Sequence, residues 1–273
     1  MLSKEEIEKI LKKEDIRALK SMGQNFLIDE KVLEKIVGSA ELSENDVVIE
    51  IGPGLGTLTK ELSKKCRIVI TVEKDRKFAG MLKGKFTNVE AIEGDVLKLN
   101  INDLVGKYSK DVKYKLVANI PYYITSKIIK LFLEASAHPE SIVILVQKEV
   151  AQRICAKAGK LSILALSVQI FGEPEIISLV GKNSFFPVPE VDSAILRITN
   201  IKKSETDEFY GKFFRIIKIG FSAKRKKLSR NLSAGFQLDM DEVGKKLEKI
   251  GIGPNARAQE LSLDDWKKLM EVF

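Results

Sequence analysis

The chain has 273 residues, enough for one large domain and a small one and enough to bury a substantial core. Hydrophobic residues make up 44% and charged residues 31%. No stretch approaches the roughly 18 uninterrupted apolar residues that a membrane-spanning helix needs. A net charge of +8 and a pI of about 9.2 point to a polyanionic partner.

The opening Met1-Leu2-Ser3-Lys4-Glu5-Glu6 is charged and lacks the apolar core of a secretion signal, so the expected location is the cytoplasm. Residues 1–19 are helix-prone. Residues 20–27, Lys20-Ser21-Met22-Gly23-Gln24-Asn25-Phe26-Leu27, form a polar, glycine-bearing segment able to fold over a ligand. From about residue 30 to 200, short β-branched runs alternate with helical patterns, the signature of a parallel sheet wrapped by crossover helices. Strands are predicted at 47–51, 68–72, 89–92, 115–118, 142–146, 176–180 and 194–198. The last two have no long helix between them and are expected to form a hairpin or a reversed edge, joined by a rigid connector at 183–189. Beyond 200 the pattern turns helical, with helices predicted at 208–221, 240–249 and 264–272. The expected division is therefore 1–200, with 1–29 as an N-terminal helix and covering segment, and a small all-helical domain at 201–273.

Charge is unevenly spread. Residues 201–273 hold 16 Lys/Arg against 11 Asp/Glu, and Arg215, Lys218, Lys224, Arg225, Lys226, Lys227 and Arg230 run without an intervening acid. A solvated helix face usually mixes signs, so this segment reads as a polyanion contact. Cys66 and Cys155 lack metal-ligand spacing, and the single His138 sits before Pro139 in a predicted loop. No metal site is expected, and the cysteines are expected to be reduced and buried.

Polar residues fall at the predicted strand ends, where open α/β sheets bind ligands. Glu50-Ile51-Gly52-Pro53-Gly54-Leu55-Gly56 is a strand-to-helix turn whose glycines let backbone approach a ligand. Glu73 follows the second strand at about the spacing of an acid that grips ribose hydroxyls. Its charge would repel a ribose phosphate. Asp95 follows the third strand and suits an adenine amino group. The pattern is G-x-G-x-G, with Thr57 where the dinucleotide template G-x-G-x-x-G wants its last glycine, which favours a nucleoside carrying a zwitterionic tail over a dinucleotide.

Asn119-Ile120-Pro121-Tyr122 ends the fourth strand with a carboxamide, a constrained carbonyl and a ring. An exocyclic adenine amine is a poor nucleophile because its lone pair is delocalised. The Asn119 oxygen and the Ile120 carbonyl, held extended by Pro121, could each accept an amine hydrogen and turn the lone pair toward a methyl sulfonium. Tyr122 or Tyr123 would stack on the base, worth roughly 1–3 kcal/mol. An activated sulfonium needs no metal or covalent nucleophile. A base in a duplex is hidden, so the target must be single-stranded or flipped out.

These motifs, with Gly23-Gln24-Asn25-Phe26-Leu27, Gly94-Asp95 and Phe186-Pro187-Val188-Pro189-Glu190-Val191-Asp192-Ser193-Ala194, resemble the small-subunit ribosomal RNA adenine N6-dimethyltransferases, the kasugamycin-sensitivity family, in its order and across almost the whole chain. Val188 stands where a second consecutive proline is common, and Met22 replaces a usual leucine. The resemblance implies a class I S-adenosylmethionine-dependent methyltransferase fold, Rossmann-like with a mostly parallel seven-stranded sheet. It implies dimethylation of two adjacent adenosines in the 3′-terminal hairpin loop of 16S rRNA, by a monomer acting on the small subunit or a late assembly intermediate. Carried over, the cofactor contacts are Asn25, Leu27, Gly52, Gly54, Glu73, Asp95 and Asn119, and the catalytic element is Asn119, Ile120, Pro121 and Tyr122. RNA contacts are assigned to Tyr122, Tyr123, Phe186, Lys224, Arg225, Lys226, Lys227 and Arg230. The erythromycin-resistance methyltransferases of large-subunit RNA share the cofactor turn and the Asn-Ile-Pro-Tyr element, but the connector and basic tail favour the small-subunit enzyme. A mainly non-catalytic ribosome-assembly factor and a dinucleotide oxidoreductase are the readings of other classes.

Overall fold

The computed structural model describes residues 1–16, 24–108, 113–203 and 205–273; the expectations for residues 17–23, Met22 and Gly23 included, lie outside these. Helix α1 (Lys4–Lys13) begins at a capping box, in which the Ser3 hydroxyl accepts from the Glu6 N–H and the Glu6 carboxylate accepts from the Ser3 N–H. A short β1 (Phe26–Leu27) precedes α2 (Glu30–Ser39), whose first-turn N–H groups donate to the Asp29 carboxylate. Then β2 (Val47–Ile51), α3 (Thr57–Ser63), β3 (Ile68–Glu73), α4 (Arg76–Leu82), β4 (Val89–Glu93), α5 (Ile101–Gly106), β5 (Lys115–Asn119), α6 (Thr125–Glu134) and β6 (Ser141–Gln147) alternate as the sequence predicts. Helices α7 (Lys148–Ile154) and α8 (Ile163–Gln169) lead to β7 (Glu173–Val180), β8 (Phe185–Phe186) and β9 (Ser193–Thr199). The chain ends in α9 (Asp207–Gly220), α10 (Leu228–Phe236), α11 (Met240–Lys249) and α12 (Leu263–Val272).

Seven strands form one sheet in the order β4-β3-β2-β5-β6-β9-β7. It is parallel from β4 through β6, and β9 runs antiparallel to both β6 and β7. The last two strands pair antiparallel as expected, but the reversed strand is the inner one. The connector is not wholly irregular either, because β8 within it pairs antiparallel with β1, Phe26 opposite Phe186. From the β2–β5 junction the chain lays down β3 and β4 outward on one side and β6 outward on the other, before β7 takes the far edge and β9 enters between β6 and β7, so this junction is the switch point where such sheets open a crevice.

Alternation places Val48, Val69, Val117, Val143, Leu145 and Ile195 on one face, under Val32, Leu33, Ile36 and Val37 of the amphipathic α2. Ile7 and Leu11 of α1 join Leu55, Phe78 and Ile16 in a smaller cluster.

The chain divides into two compact units, Met1–Ala151 with Gly172–Ile201, and Gln152–Phe171 with Lys202–Phe273. The boundary expected at 200 therefore misplaces residues 152–171. Leu161, Ala165 and Leu166 share a core with Phe213, Ile217, Leu232, Leu247 and Trp266, and the Gly159 and Leu161 N–H groups both donate to the Gln259 carbonyl at 2.9 and 3.2 Å. Phe171 stacks on Tyr210 with ring centroids 4.7 Å apart. In the second unit, α10 was not among the predicted helices. Among the described residues no helix is long and apolar enough to cross a membrane.

Candidate active site

A cavity of about 340 Å³ opens at the carboxyl ends of the parallel strands, within the range of small-ligand sites. Asn25, Leu27, Gly52, Gly54, Glu73, Asp95, Asn119, Ile120, Pro121, Tyr122 and Tyr123, all singled out from the sequence, line it. The turn after β2 and the loop after β5 touch at the switch point. A Cβ on Gly52 would lie 3.7 Å from Pro121 Cδ and 4.0 Å from the Asn119 carbonyl oxygen.

Gly52, Gly54 and Gly56 have φ of +66°, +53° and +79°, a region costly for residues with a Cβ. The third glycine has a local explanation. Gly56 occupies the left-handed position at the start of α3, and a Cβ there would fall 2.5 Å from Leu82 Cδ2.

Glu73 ends β3, 8% exposed, and its two carboxylate oxygens accept from the Asp75 N–H at 2.9 Å and the Gly54 N–H at 3.2 Å. Burial raises its pKa, against the pull of those two N–H donors. Each oxygen keeps a further lone pair for a hydroxyl donor. Asp95 accepts from the Leu97 N–H through Oδ1, while Oδ2 meets Lys74 Nζ at 3.1 Å. Its partial burial favours the neutral form, but the Lys74 and Leu97 bonds outweigh that and the pKa is lowered. Lys74 is itself raised, first by the Asp95 bond.

Behind the glycine turn, Glu50 is 1% exposed and accepts from the Thr59 hydroxyl at 2.6 Å. Burial pushes its pKa up to about 8; the Thr59 bond opposes the rise and the neighbouring Glu73 charge adds to it. One cavity wall thus carries two buried acids whose joint ionisation is disfavoured.

The Asn119 amide is oriented from outside its own motif. Its Nδ2 donates to the Asn25 backbone carbonyl at 3.2 Å, across 94 residues, which leaves Oδ1 as its acceptor. Among the described residues no hydrogen bond to Oδ1 occurs. Pro121, Tyr122 and Tyr123 then enter a single 3-10 turn ahead of α6, and burial raises the Tyr122 pKa while a bond to Ser193 opposes it.

Other assigned residues lie elsewhere. Phe186 does not line the cavity; it pairs with Phe26 and packs against the Ile7, Leu11 and Phe78 cluster. Lys224, Arg225, Lys226 and Lys227 are exposed between α9 and α10, and Arg230 is exposed on α10, all in the second unit. Among the described residues none of these five forms an ion pair. Lys74, Phe78, Leu97 and Lys127 also line the cavity and were missed. Lys74 had a sign in the sequence, standing beside the site acid Glu73; Lys127, a surface lysine on α6, had none.

A mostly parallel sheet with a ligand cavity at its switch point, walled by a glycine turn, strand-end acids and Asn-Ile-Pro-Tyr, defines a class I S-adenosylmethionine-dependent methyltransferase. A family model for ribosomal RNA adenine dimethylases matches residues 16–273. The chain belongs to that family, and is an enzyme that dimethylates adenine in ribosomal RNA.

Its relatives include the Ribosomal RNA small subunit methyltransferase A of Dehalococcoides mccartyi strain CBDB1, 45% identical over 263 residues that span 93% of this chain and 88% of the relative. The protein of the same name from Clostridium botulinum strain Okra is 38% identical over 97% of both chains. Similar solved structures include the 23S rRNA methyltransferase ErmE, with 28% identity and a TM-score of 0.72 over 90% of this chain and 98% of that one. A dimethyladenosine transferase from Plasmodium falciparum has 26% identity and a TM-score of 0.75, over 89% and 95% of the two chains.

Proposed function

We propose that this enzyme uses S-adenosylmethionine to convert two adjacent adenosines in the 3′-terminal hairpin loop of 16S rRNA to N6,N6-dimethyladenosine. It would act as a cytoplasmic monomer on the small subunit or a late assembly intermediate. The observation that carries the chemistry is the Asn119 amide, fixed by the Asn25 carbonyl so that an oxygen remains to receive an amine.

The donor set fits the cofactor. Glu73 offers two oxygens to ribose hydroxyls, Asp95 an acceptor to the adenine amine, and Gly52 and Gly54 backbone space for an amino-acid tail; Asn25 and Leu27 wall the cavity from the N-terminal side. When bound, S-adenosylmethionine supplies a methyl group on a sulfonium, already activated toward nitrogen. What the chain must add is orientation. Asn119 Oδ1 and the Ile120 carbonyl accept from the exocyclic amine and favour a pyramidal nitrogen, and Tyr122 stacks on the base.

For the substrate, support comes from the relatives. A small-subunit methyltransferase stands at 45% identity, whereas the 23S enzyme stands at 28%. Five exposed cations without ion-pair partners among the described residues, Lys224 to Lys227 and Arg230, suit an RNA backbone. The test is to incubate the protein with labelled S-adenosylmethionine and undermethylated small subunits and to map the modified bases. Two neighbouring dimethyladenosines near the 3′ end are expected; label confined to a large-subunit adenosine would overturn the substrate assignment and favour the erythromycin-resistance type.

A further inference from the structure

Tyr122 is tied to a residue far from it in sequence. Its phenolic oxygen and the Ser193 hydroxyl lie 2.6 Å apart, across 71 positions. The two ends of this bond differ in rigidity. Ser193 is 0% exposed and opens β9, where it is in register with Gln147 of β6 on one side and Val180 of β7 on the other. Hydrogen-bonded strands on both flanks fix its backbone, and its hydroxyl is one rotatable bond away. Tyr122 opens a single 3-10 turn that has no side-chain cap and runs into α6, next to Tyr123, which is 59% exposed. The backbone hydrogen bonds of such a turn have poorer geometry than those of an α-helix or a sheet interior.

We propose that Ser193 is a positioning residue for the reaction: by anchoring the Tyr122 hydroxyl it fixes the plane of the ring against which the target adenine stacks. Ser193 does not line the cavity, so its effect would reach the target base through Tyr122. It gives the Asp192-Ser193 end of the connector motif a task. Two ends of the Asn119–Tyr122 element are then held by separate parts of the chain, Asn119 by the Asn25 carbonyl and Tyr122 by Ser193. A supporting contact that locks a contacting side chain governs how precisely a bound base is presented. The inference rests on Tyr122 as the stacking residue.

The test is a double-mutant cycle on the full chain with Ser193→Ala, Tyr122→Phe and the pair. Methyl transfer to undermethylated small subunits would be measured, alongside affinity for S-adenosylhomocysteine. Each single variant is expected to lower kcat/KM about three- to tenfold, the worth of one neutral hydrogen bond, with cofactor-product affinity unchanged. The double variant is expected to be no slower than Tyr122→Phe alone, because the same bond can be lost only once. Tyr122→Phe removes the bond without disturbing β9, so the test stands even if Ser193→Ala folds poorly. Wild-type turnover in Tyr122→Phe, losses that multiply in the double variant, or a parallel loss of cofactor-product affinity would each overturn the proposal. Tyr122→Ala separates the two claims. Full activity there removes the stacking reading itself, whereas inactivity there with an unaffected Tyr122→Phe removes only the positioning role.

Discussion

Glu50 carries the largest electrostatic consequence of any single side chain at the site. With its pKa at about 8 in the folded chain and near 4.5 ordinarily, it is the native state that holds the extra proton between those values. The stability this group contributes is complete below about 4.5 and is lost as pH rises through 8. The loss has a slope of up to about 1.4 kcal/mol per pH unit. Thermal melts of wild type and Glu50→Gln from pH 5 to 9 should show the wild type losing stability relative to the variant across that window; parallel curves would contradict it. Asn119 belongs to the same scale but to a different function. Asn119→Ala removes an acceptor, and misorienting the amine should lower single-turnover methyl transfer about a hundredfold or more. Subunit binding, measured by co-sedimentation, should persist. Equal loss of both would argue against an assembly role separable from catalysis.

At the level of elements, the strands were readable because β6 is a continuous apolar run from Ile142 to Val146, because β2 is apolar but for Glu50, and because the site residues stand at strand ends. The glycine turn, the strand-end acids and Asn-Ile-Pro-Tyr were readable as a set for the same reason. Helix α10 was not. Its sequence Leu-Ser-Arg-Asn-Leu-Ser-Ala-Gly-Phe offers few apolar positions, and one buried position is Asn231, whose reason lies in another helix: Nδ2 donates to the Gly220 carbonyl at 2.6 Å and the Ala223 carbonyl at 3.1 Å, at the end of α9. Asn231→Ala would leave these carbonyls without that donor in a buried setting, at about 1–3 kcal/mol, readable as a lower denaturant midpoint with an unchanged slope. The bonds Asn25–Asn119, Tyr122–Ser193 and Lys74–Asp95 were equally hidden. They join positions 94, 71 and 21 residues apart, and no local pattern encodes such pairings.

For the molecule as a whole, the excess of positive charge is concentrated in residues 201–273. If Lys224, Arg225, Lys226, Lys227 and Arg230 meet RNA phosphates, neutralising any one should lower the slope of log affinity against log salt by about 0.7–0.9, while leaving S-adenosylhomocysteine affinity as it was. Filter binding to small subunits across a salt series measures this, and an unaltered slope in all five single variants would rule the segment out as an RNA contact. Charge asymmetry was legible from the positions of the charged residues along the chain. The membership of residues 152–171 was not, because an amphipathic helix announces that it has an apolar side without saying what will cover it.

That membership decides what can be cut or exchanged. The chain leaves the sheet after β6, contributes α8 to the helical unit, comes back for β7, β8 and β9, and only then departs for good. A fragment beginning at 201 would lack Leu161, Ala165 and Leu166, and one ending at 200 would keep them with no core to enter. Grafting another enzyme's tail onto this catalytic half therefore means replacing two separate stretches of sequence together.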